Sequence, residues 1–411
     1  MARTHPIDRV LSGGLCSGCG ACAFVGEAHG VTMLDYPHVG LRPAWSGELP
    51  LSVKDAMVAA CPGAAIAAPA AHGSKPTNGD ELVVGPTEQI WEGWACDPQV
   101  RLAASSGGAV TALASYAVER LGMALVLHIG MDPIHPWLNR TITSTDLSQL
   151  IDQAGSRYAP SSPVEALRVI EESDRPCVFI GKPCDVAAVA KLRAVRPKLD
   201  QNLGLVLSFF CAGTPNTDAT LQLAGSLGFS VPGEITSLRY RGNGWPGEFR
   251  VQDQTGREAS LSYEESWGAL AARHRQLRCH LCPDGLGELS DVTGGDAWHR
   301  RAEDNAGVSL ILARNERGRK AVEGAIDAGY LTATPSDAHR VVQAQGLVRR
   351  RRLVATRMAA LRLFGRPVPR FRGFHLWAAA AQESPLAIAR EFTGMVKRVF
   401  TRGYLRPEPR N

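Results

Sequence analysis

The feature that most constrains this chain is a run of three closely spaced cysteines near its start. The stretch CSGCGAC places Cys16, Cys19 and Cys22 three residues apart, and a remote Cys61 precedes a proline. A C-x2-C-x2-C run closed by a remote C-P is the ligand pattern of 4Fe–4S ferredoxins. A two-cluster ferredoxin would carry a further cysteine at position 26, where this chain has Gly26. The spacing predicts one cluster here, with zinc as the alternative metal.

A second set of four cysteines is more loosely spaced. Cys279 and Cys282 form a C-x-x-C-P motif, and Cys184 and Cys211 follow two predicted strands. Strand carboxyl ends in an open α/β sheet face the ligand crevice, so these four thiols can converge on a second cluster. Alternatively, the C-x-x-C is a zinc knuckle or a redox pair and the other two cysteines only pack. For Cys96 and Cys177 we expect burial as small hydrophobic residues.

Composition places the chain among globular proteins with room for two or three domains. It has 411 residues, of which 45% are hydrophobic and 21% charged. No apolar run approaches the roughly 18 residues of a membrane span, and the start lacks the apolar region of an export signal. We therefore expect a cytoplasmic protein with reduced thiols, in which ten cysteines favour metal binding over disulfides.

The middle of the chain alternates between strand and helix patterns. MALVLHIG, PCVFIG and LGLVLSFFCAG read as buried strands, whereas SSPVEALRVIEES, KPCDVAAVAKL and TDATLQLAGSLG read as helices. The predicted fold class is α/β, with a mostly parallel sheet and flanking helices. Residues 235–263 alternate in period two and predict an antiparallel hairpin insertion or small sheet.

Three regions follow from this reading. Residues 1–75 form a small ferredoxin-like iron–sulfur unit, residues 85–335 the α/β domain with the second cluster, and residues 338–411 a basic helical region. A polar stretch, APAAHGSKPTNGDE, reads as a linker or surface loop after the first unit.

The stretch SSGGAVTALASYAVERLG predicts a helix with Ser106 as its cap. Val110, Leu113, Ala117 and Leu121 recur at helical spacing. A Ser-Ser-Gly-Gly start also presents free N–H groups and the positive end of the helix dipole, which suit a pyrophosphate. Simple capping explains the same residues equally well.

Positive charge is concentrated near the end of the chain. Residues 338–382 contain ten arginines and no aspartate or glutamate, whereas the whole chain carries a net charge of +5. The arginines predict either a solvated helical face or a surface that docks onto anionic lipid or an acidic partner. Aromatic interleaving is sparse, so we do not expect nucleic acid binding.

Several motifs occur together in a recognisable order. CSGCGAC, SSGGAVTAL, GSRYAPS, FIGKPCD, RGNGWPG and RCHLCPDGLGELSDVTGGDAW follow one another over residues 10–300. In this order they resemble the coenzyme F420 hydrogenase/dehydrogenase beta-subunit family. That family includes beta subunits of F420-reducing hydrogenase and formate dehydrogenase, divinyl chlorophyllide 8-vinyl reductase and 7-hydroxymethyl chlorophyll a reductase.

The resemblance implies an iron–sulfur flavoprotein with FAD in the α/β domain. It implies that both cysteine sets ligate 4Fe–4S clusters, and that Lys182 is a catalytic cation beside the flavin ring. A pairing of Lys182 with Asp185 alone is the other possibility. The cofactor-binding positions that it implies are Ser105, Ser106, Gly107, Gly108, Thr111, Arg157, Tyr158, Lys182, Asn243, Gly244, Trp245 and Asp296. Of these, Arg157 is suited to a phosphate bond.

The predicted function is therefore electron transfer between clusters and FAD, and on to coenzyme F420 or another small molecule. The other substrate classes are a tetrapyrrole and a sugar or polysaccharide precursor. Expected partners are a redox protein such as ferredoxin or a dehydrogenase subunit, in an oligomer. The string G-x-G-x-x-G at 242–247, GNGWPG, lies within the predicted antiparallel hairpin and not at a strand-to-helix turn, so direct use of NAD(P)H is not supported. The alternative is a zinc-stapled scaffold that docks through its basic tail.

Overall fold

The structure is a computed structural model that describes residues 4–69, 76, 78–301 and 306–408. Half of the predicted linker, residues 70–75 and 77, lies outside the described residues. The strands are β1 (Thr32–Tyr36), β2 (Gly40–Ala44), β3 (Ala65–Ala67), β4 (Gln89–Ala95), β5 (Val126–Met131), β6 (Asn139–Ser144), β7 (Cys177–Gly181), β8 (Leu203–Phe209), β9 (Ile235–Arg239), β10 (Glu248–Asp253), β11 (Glu258–Ser262), β12 (Val292–Asp296), β13 (Ser309–Ala313), β14 (Leu331–Ser336) and β15 (Arg370–Arg372).

Helices precede, separate and follow these strands. They are α1 (Pro6–Ser12), α2 (Ala21–Gly26), α3 (Leu51–Ala60), α4 (Gly79–Val84), α5 (Pro98–Ala103), α6 (Ala109–Glu119), α7 (Leu147–Asp152), α8 (Arg168–Glu171), α9 (Pro183–Arg193), α10 (Pro197–Asn202), α11 (Thr217–Ser226), α12 (Tyr263–His274), α13 (Leu277–His280), α14 (Glu316–Asp327), α15 (Ala338–Ala344), α16 (Leu347–Leu363), α17 (Leu376–Ala380) and α18 (Pro385–Thr401).

An eight-stranded sheet forms the centre, in the order β14-β4-β13-β12-β8-β7-β5-β6. The strands β12, β8, β7 and β5 are neighbours and parallel. Strand β4 runs in the same direction, whereas β13, β14 and β6 pair antiparallel with their neighbours. The protein is thus a mixed α/β structure in which five of the eight central strands point the same way, with three antiparallel strands added.

Most predicted elements of the central region are present. The expected strands correspond to β5, β7 and β8, and the expected helices after β7 and β8 correspond to α9 and α11. The predicted hairpin is a three-stranded antiparallel sheet, β11-β10-β9. One prediction is wrong: SSPVEALRVIEES is not one helix, because a short 3₁₀ turn at Pro163–Ala166 precedes the four-residue helix α8.

The two ends of the chain share one hydrophobic core. Ile7 and Cys22 near the start lie in the same buried cluster as Met358 and Val399 near the end. Strand β15 also pairs in parallel with β3. The cysteine-rich segment is therefore held between the sheet domain and the C-terminal helices.

The arginine-rich region is not a uniformly solvated face. Arg350, Arg351 and Arg357 of α16 are buried. Arg351 pairs with the buried Glu288, and Arg357 Nε donates to Glu391 Oε1 over 2.8 Å. The prediction of a solvated face or docking surface is wrong for these three side chains, because buried guanidinium groups are stable only when they are paired or hydrogen-bonded. Within the described residues, no helix is long and apolar enough to cross a membrane.

Candidate cofactor and active site

The carboxyl ends of the parallel strands open into a large cavity. Its volume is about 910 Å³, and its wall includes Lys182 after β7, Cys211 after β8 and Asp296 at the end of β12. The start of α6 lines the same cavity. This is the position at which open α/β sheets bind ligands, because the strand ends and helix starts leave a crevice there.

The N-terminus of α6 is uncapped and faces this cavity. Its preceding residue is Gly108 in the left-handed conformation with φ 77°, and no side chain caps the helix. The prediction that Ser106 is the cap is wrong, since Ser106 Oγ lies 3.3 Å from Gly295 O and 3.2 Å from Val308 O. The uncapped N–H groups, together with the helix dipole, favour an anionic ligand.

Some residues of the Ser-Ser-Gly-Gly turn line the cavity, whereas Gly107 packs against the sheet. Ser105, Ser106, Gly108 and Thr111 line the cavity. Ser105 Oγ also accepts a hydrogen bond from Ser156 N. Gly107 is not part of the wall: its N–H donates to Ser309 Oγ over 2.9 Å, and a Cβ there would lie 2.7 Å from Gly93 O. Gly107 therefore permits close packing of the turn onto the sheet.

Lys182 is buried and fully engaged. Its Nζ lies 2.8 Å from Asp185 Oδ2, 2.6 Å from Ser161 Oγ and 3.2 Å from Ser161 O. Burial lowers the pKa of Lys182, but the negative charge of Asp185 outweighs it and holds the pKa above its usual value. The side chain thus carries a fixed, paired positive charge in the cavity wall, rather than a free cation.

Asp296 anchors the opposite wall. It accepts two hydrogen bonds from Arg241, from Nη2 to Oδ1 over 2.7 Å and from Nη1 to Oδ2 over 3.0 Å. Trp245 Nε1 donates to the same Oδ1 over 2.7 Å. The ring of Trp298 stacks between Trp245 and Tyr263, with centroid distances of 5.3 Å and 5.1 Å. These contacts hold the Asp296 carboxylate and the aromatic stack in place.

Arg157 and Tyr158 also line the cavity. Arg157 is committed to the protein by four hydrogen bonds: from Nε to Asn139 Oδ1, from Nη1 to Leu238 O, and from Nη2 to Pro136 O and Leu138 O. A guanidinium has five N–H donors, so at most one remains for a ligand. Tyr158 packs on Trp267, with ring centroids 4.6 Å apart.

Asn243, Gly244 and Trp245 are not in the wall of the large cavity. Asn243 lines a smaller neighbouring pocket of about 260 Å³, together with Arg157. Gly244 N donates to Leu102 O over 3.0 Å, which ties this turn to α5. Trp245 contacts two residues of the wall: its Nε1 donates to Asp296, and its ring stacks on Trp298. These residues shape the turn behind the cavity.

The four N-terminal cysteines are buried close to one another. Cys16, Cys19, Cys22 and Cys61 are at most 8% exposed. Burial raises the pKa of Cys22, and the charges of the other three thiols raise it further. Burial also raises the pKa of Cys61 to about 11. The fold brings together all four predicted ligands of the first set.

The loop around these cysteines is closely supported. Gly18 N donates to Cys16 Sγ over 3.4 Å. Gly20 has φ 94°, and a Cβ there would lie 2.7 Å from Ser162 O. Lys191 Nζ donates to Cys61 O over 2.9 Å. Glycine is required where the backbone of the cysteine loop meets the Ser162 segment in a left-handed conformation.

The second set also converges, although each of its thiols is partly accessible. Burial raises the pKa of Cys184, and the charges of Cys211 and Cys282 contribute to the increase. Burial raises the pKa of Cys211 to about 12, and Cys279 is the next contributor. Thr214 N donates to Cys279 Sγ over 3.4 Å. Residues from three distant parts of the sequence thus meet beside the large cavity.

The two remaining cysteines differ from each other. Cys177 is buried in β7 as expected. Cys96 is exposed, and its Sγ lies 3.2 Å from Thr332 Oγ1, so the expectation of burial is wrong for this residue.

Across the described part of the chain, no group of three or more His, Cys, Asp or Glu side chains is arranged around a single metal ion. The four ligands of a 4Fe–4S cubane are not arranged around a single ion. Each thiolate binds its own iron atom, so the four sulfur atoms lie farther apart than around one ion.

Several residues of the cavity wall were not predicted. Arg241 and Tyr263 lie beside Asp296, and Arg241 begins the RGNGWPG motif. Five more arginines line the side of the cavity nearest the C-terminal helices: Arg275, Arg349, Arg350, Arg357 and Arg390. The concentration of arginine after residue 338 was the available signal for four of them.

Comparisons with known proteins agree with this architecture. Residues 90–168 match the family model for the N-terminal part of the coenzyme F420 hydrogenase/dehydrogenase beta subunit, and residues 174–339 match the model for its C-terminal part. The N-terminal cysteines and the last 72 residues lie outside these ranges.

Two curated relatives illustrate the similarity. The chain is 23% identical over 243 residues to the beta subunit of F420-dependent formate dehydrogenase 1 of Methanococcus maripaludis, spanning 58% of this chain and 59% of that protein. It is 24% identical over 263 residues to the beta subunit of coenzyme F420 hydrogenase of Methanothermobacter thermautotrophicus, spanning 62% of this chain and 86% of that protein.

A solved structure shares the fold. It comes from a xenon derivative of the F420-reducing [NiFe] hydrogenase complex of Methanosarcina barkeri, with 17% identity and a TM-score of 0.54. The similarity covers 70% of this chain and 97% of the other. On these matches, the chain belongs to the coenzyme F420 hydrogenase/dehydrogenase beta-subunit family.

Proposed function

We propose that this protein is an iron–sulfur flavoprotein oxidoreductase. In this proposal, residues 1–75 hold one 4Fe–4S cluster, and residues 85–335 hold a second cluster and FAD. The observation that carries the proposal is a shared wall: the cavity that meets the open N-terminus of α6 is also lined by Cys211 of the second cysteine set. A dinucleotide in that cavity and a cluster on those thiols would be direct neighbours.

The cavity has the properties that FAD requires. Its volume of about 910 Å³ is within the range of cofactor sites. The uncapped start of α6 supports a pyrophosphate, and the aromatic side chains of Tyr158, Tyr263 and Trp298 provide apolar wall. These features support a flavin dinucleotide, with Ser105, Ser106, Gly108 and Thr111 at its phosphates.

Both cysteine sets have the chemistry of cluster ligands. Free thiols in these positions resist deprotonation, because burial raises the pKa of Cys16, Cys22 and Cys184. Bound iron supplies the positive charge that stabilises four thiolates in one place, so metal loading releases protons. The four thiols of the first set depend most on bound iron for deprotonation, since they are the more deeply buried.

When bound, FAD and the clusters supply an exchange between two-electron and one-electron carriers. The residues of this chain position them. Segment 161–164 joins the two sites, because Ser161 accepts from Lys182 and Val164 N donates to Cys19 O over 3.1 Å. Asp296 orients the aromatic wall through Arg241 and Trp245. Lys182 maintains a fixed positive charge facing the cavity.

The acceptor and the partner follow from the relatives. The two curated relatives are named as F420-dependent or F420-linked beta subunits, so coenzyme F420 is the first acceptor that we propose. Their names describe subunits, which supports a separate redox protein or dehydrogenase subunit as the electron donor. A tetrapyrrole or a sugar precursor is the second class of acceptor.

An anaerobic reductase assay tests this function. The purified protein, loaded with iron, sulfide and FAD, is mixed with reduced ferredoxin or dithionite, and F420, divinyl chlorophyllide or a nucleotide sugar is offered as acceptor. We expect F420 reduction that depends on the protein and is lost in Cys211→Ser, with Cys96→Ser as the matched control. A fully loaded protein that reduces none of these acceptors would contradict the acceptor proposal.

A further inference from the structure

Within the described residues, Arg275 is a partly buried arginine of the cavity wall whose guanidinium lacks a hydrogen-bond or ion-pair partner. Its Nε is buried, and none of the residues that the structure describes accepts a hydrogen bond from it. Its side chain runs along Gly213, where a Cβ would lie 2.7 Å from Arg275 Cδ. Gly213 has φ 126° and leaves room for that side chain. An unpaired, partly buried guanidinium costs free energy unless a ligand compensates it.

Four further arginines line the cavity with Arg275, and one of them, Arg349, is exposed with its Nε 3.7 Å from Glu383 Oε2. Arg350 donates to Ala212 O over 2.6 Å and to Cys211 O over 2.7 Å. Arg357 donates to Glu391 and to His280 O. Arg390 is exposed at the cavity edge. We call Arg275, Arg350, Arg357 and Arg390 the arginine lining.

The arginine lining has excess positive charge. Its four arginines lie near one carboxylate of the wall, Glu391, and the thiols of Cys279 and Cys211 also act electrostatically on Arg275. Burial lowers the pKa of Arg275, and the charge of Arg350 lowers it further. Three of the four arginines belong to α16 and α18, after residue 339 where the family match ends. This surface is therefore contributed largely by the C-terminal region of this chain.

We propose that the arginine lining binds a phosphoryl group, a phosphate monoester or a diphosphate, on the small-molecule substrate. This inference rests on the proposed function and specifies its substrate class. A phosphoryl group presents several charged oxygens to these guanidinium groups, whereas a carboxylate presents only two. Planar guanidinium groups bind phosphoryl oxygens in pairs.

The position of these groups favours a small molecule over an acidic protein. Arg350 and Arg357 are buried, and Arg275 is partly buried within the cavity. A carboxylate on a folded protein surface reaches such recessed donors poorly, whereas a phosphorylated small molecule enters the cavity. The N-terminus of α6, on another part of the wall, remains for the flavin pyrophosphate.

The test uses the protein loaded with both cofactors and inorganic pyrophosphate as the probe. Isothermal titration at constant ionic strength should show saturable binding to the wild type, at least tenfold weaker binding to Arg275→Gln, and no saturable binding of acetate. Arg390→Gln, at an exposed position that tolerates substitution, should also weaken binding by at least threefold. The matched control is Arg362→Gln, an exposed arginine of α16 outside the cavity, which should bind as the wild type does.

Each other outcome overturns the inference. Absence of saturable pyrophosphate binding to loaded wild-type protein would do so, as would unchanged affinity in both Arg275→Gln and Arg390→Gln. Loss of FAD from Arg275→Gln would assign the arginine lining to the flavin instead. Iron, sulfide and flavin are measured on the same samples. A protein without these cofactors therefore refutes the proposed function, whereas a loaded protein that ignores pyrophosphate refutes only this inference.

Discussion

Lys182 and Asp185 form a buried ion pair, 2.8 Å between Nζ and Oδ2, at the point where the two cysteine sets approach each other. Burial raises the pKa of Cys19 in the first set, and the charge of Asp185 raises it further. Burial also raises the pKa of Cys184 in the second set, and the charge of Asp185 again makes the next largest contribution. The carboxylate of Asp185 is therefore within electrostatic reach of both proposed clusters, and its partner Lys182 lines the large cavity.

The substitution Asp185→Asn should shift the reduction potentials of both clusters to less negative values. Removal of a nearby negative charge makes the added electron less unfavourable, since local charge sets cluster potentials. Anaerobic redox titration followed by electron paramagnetic resonance measures the shift. The control Asp200→Asn removes an exposed carboxylate on α10 and should leave both potentials unchanged.

The same variant should lower stability, because breaking a buried ion pair leaves an uncompensated charge and costs about 3–5 kcal/mol. Urea unfolding of the two variants under identical cofactor loading measures this loss. Equal stability and equal potentials in Asp185→Asn and wild type would show that the carboxylate does not act on the clusters.

Phosphate binding at the start of α6 can be tested by adding a negative charge that does not destabilise the helix. Thr111→Glu places a carboxylate in the first turn, where it interacts favourably with the helix dipole but repels a phosphate. We expect at least a tenfold loss of FAD affinity with an unchanged or higher melting temperature. Thr111→Val, similar in size and uncharged, should keep its flavin. Full flavin occupancy in Thr111→Glu would place the pyrophosphate elsewhere.

The cysteine assignments predict a defined change in metal content. Cys22→Ser should reduce iron and acid-labile sulfide from about eight to about four atoms each per chain, since each cubane holds four. Cys282→Ser should cause the same loss at the other site. Cys96→Ser, at an exposed cysteine outside both sets, should retain all of the iron. An unchanged iron content in Cys22→Ser would remove Cys22 from the ligand set.

Acid should destabilise the fold through His128. Burial lowers the pKa of His128 to about 4, with its Nε2 2.8 Å from Ser144 Oγ. Between pH 6.5 and 4 the unfolded chain binds a proton at this position that the folded chain does not. The folded state should therefore lose about 3 kcal/mol as the pH falls through that range, whereas above pH 6.5 the contribution is complete.

Comparison of His128→Gln with wild type isolates this loss. The free energy of unfolding of His128→Gln should fall less between pH 6.5 and 4, as measured by urea titration at several pH values. His29→Gln, at an exposed histidine, should follow the wild type. Parallel pH profiles for His128→Gln and wild type would show that His128 is already charged in the folded protein.

The central strands could be predicted because they are buried on both faces. The runs around Leu127, Phe179 and Leu205 are almost continuously apolar. This pattern predicts that each run is a buried strand and indicates where the strand begins and ends. Sheet order was less accessible from sequence. The antiparallel strand β13 lies between β12 and β4, and only tertiary packing determines that placement.

In the candidate site, too, local features could be predicted from the sequence and long-range contacts could not. The cysteine spacing and the strand-end positions of Lys182 and Cys211 are local signals, and the fold brings these residues together. Ser106 has the residue type of a helix cap, yet Gly108 occupies that position because a left-handed turn there directs Ser106 to the Gly295 and Val308 carbonyl groups. A local propensity cannot anticipate partners that are 189 and 202 residues away.

The arginine-rich region illustrates a further limit. From sequence, Arg351 and Arg357 resemble surface charges on a basic helix. In the fold they are buried because Glu288 and Glu391, from distant parts of the chain, lie opposite them. Arg275 could not be distinguished from any other arginine until the described residues showed no hydrogen-bond or ion-pair partner for its guanidinium.

Cofactor analysis of the anaerobically purified protein determines whether it carries iron–sulfur clusters and flavin. Iron, acid-labile sulfide, zinc and released flavin are measured per chain on one sample, together with its visible absorption. The account predicts a brown protein with about eight iron atoms, about eight sulfides and one FAD. A colourless protein that holds stoichiometric zinc and no flavin would contradict it.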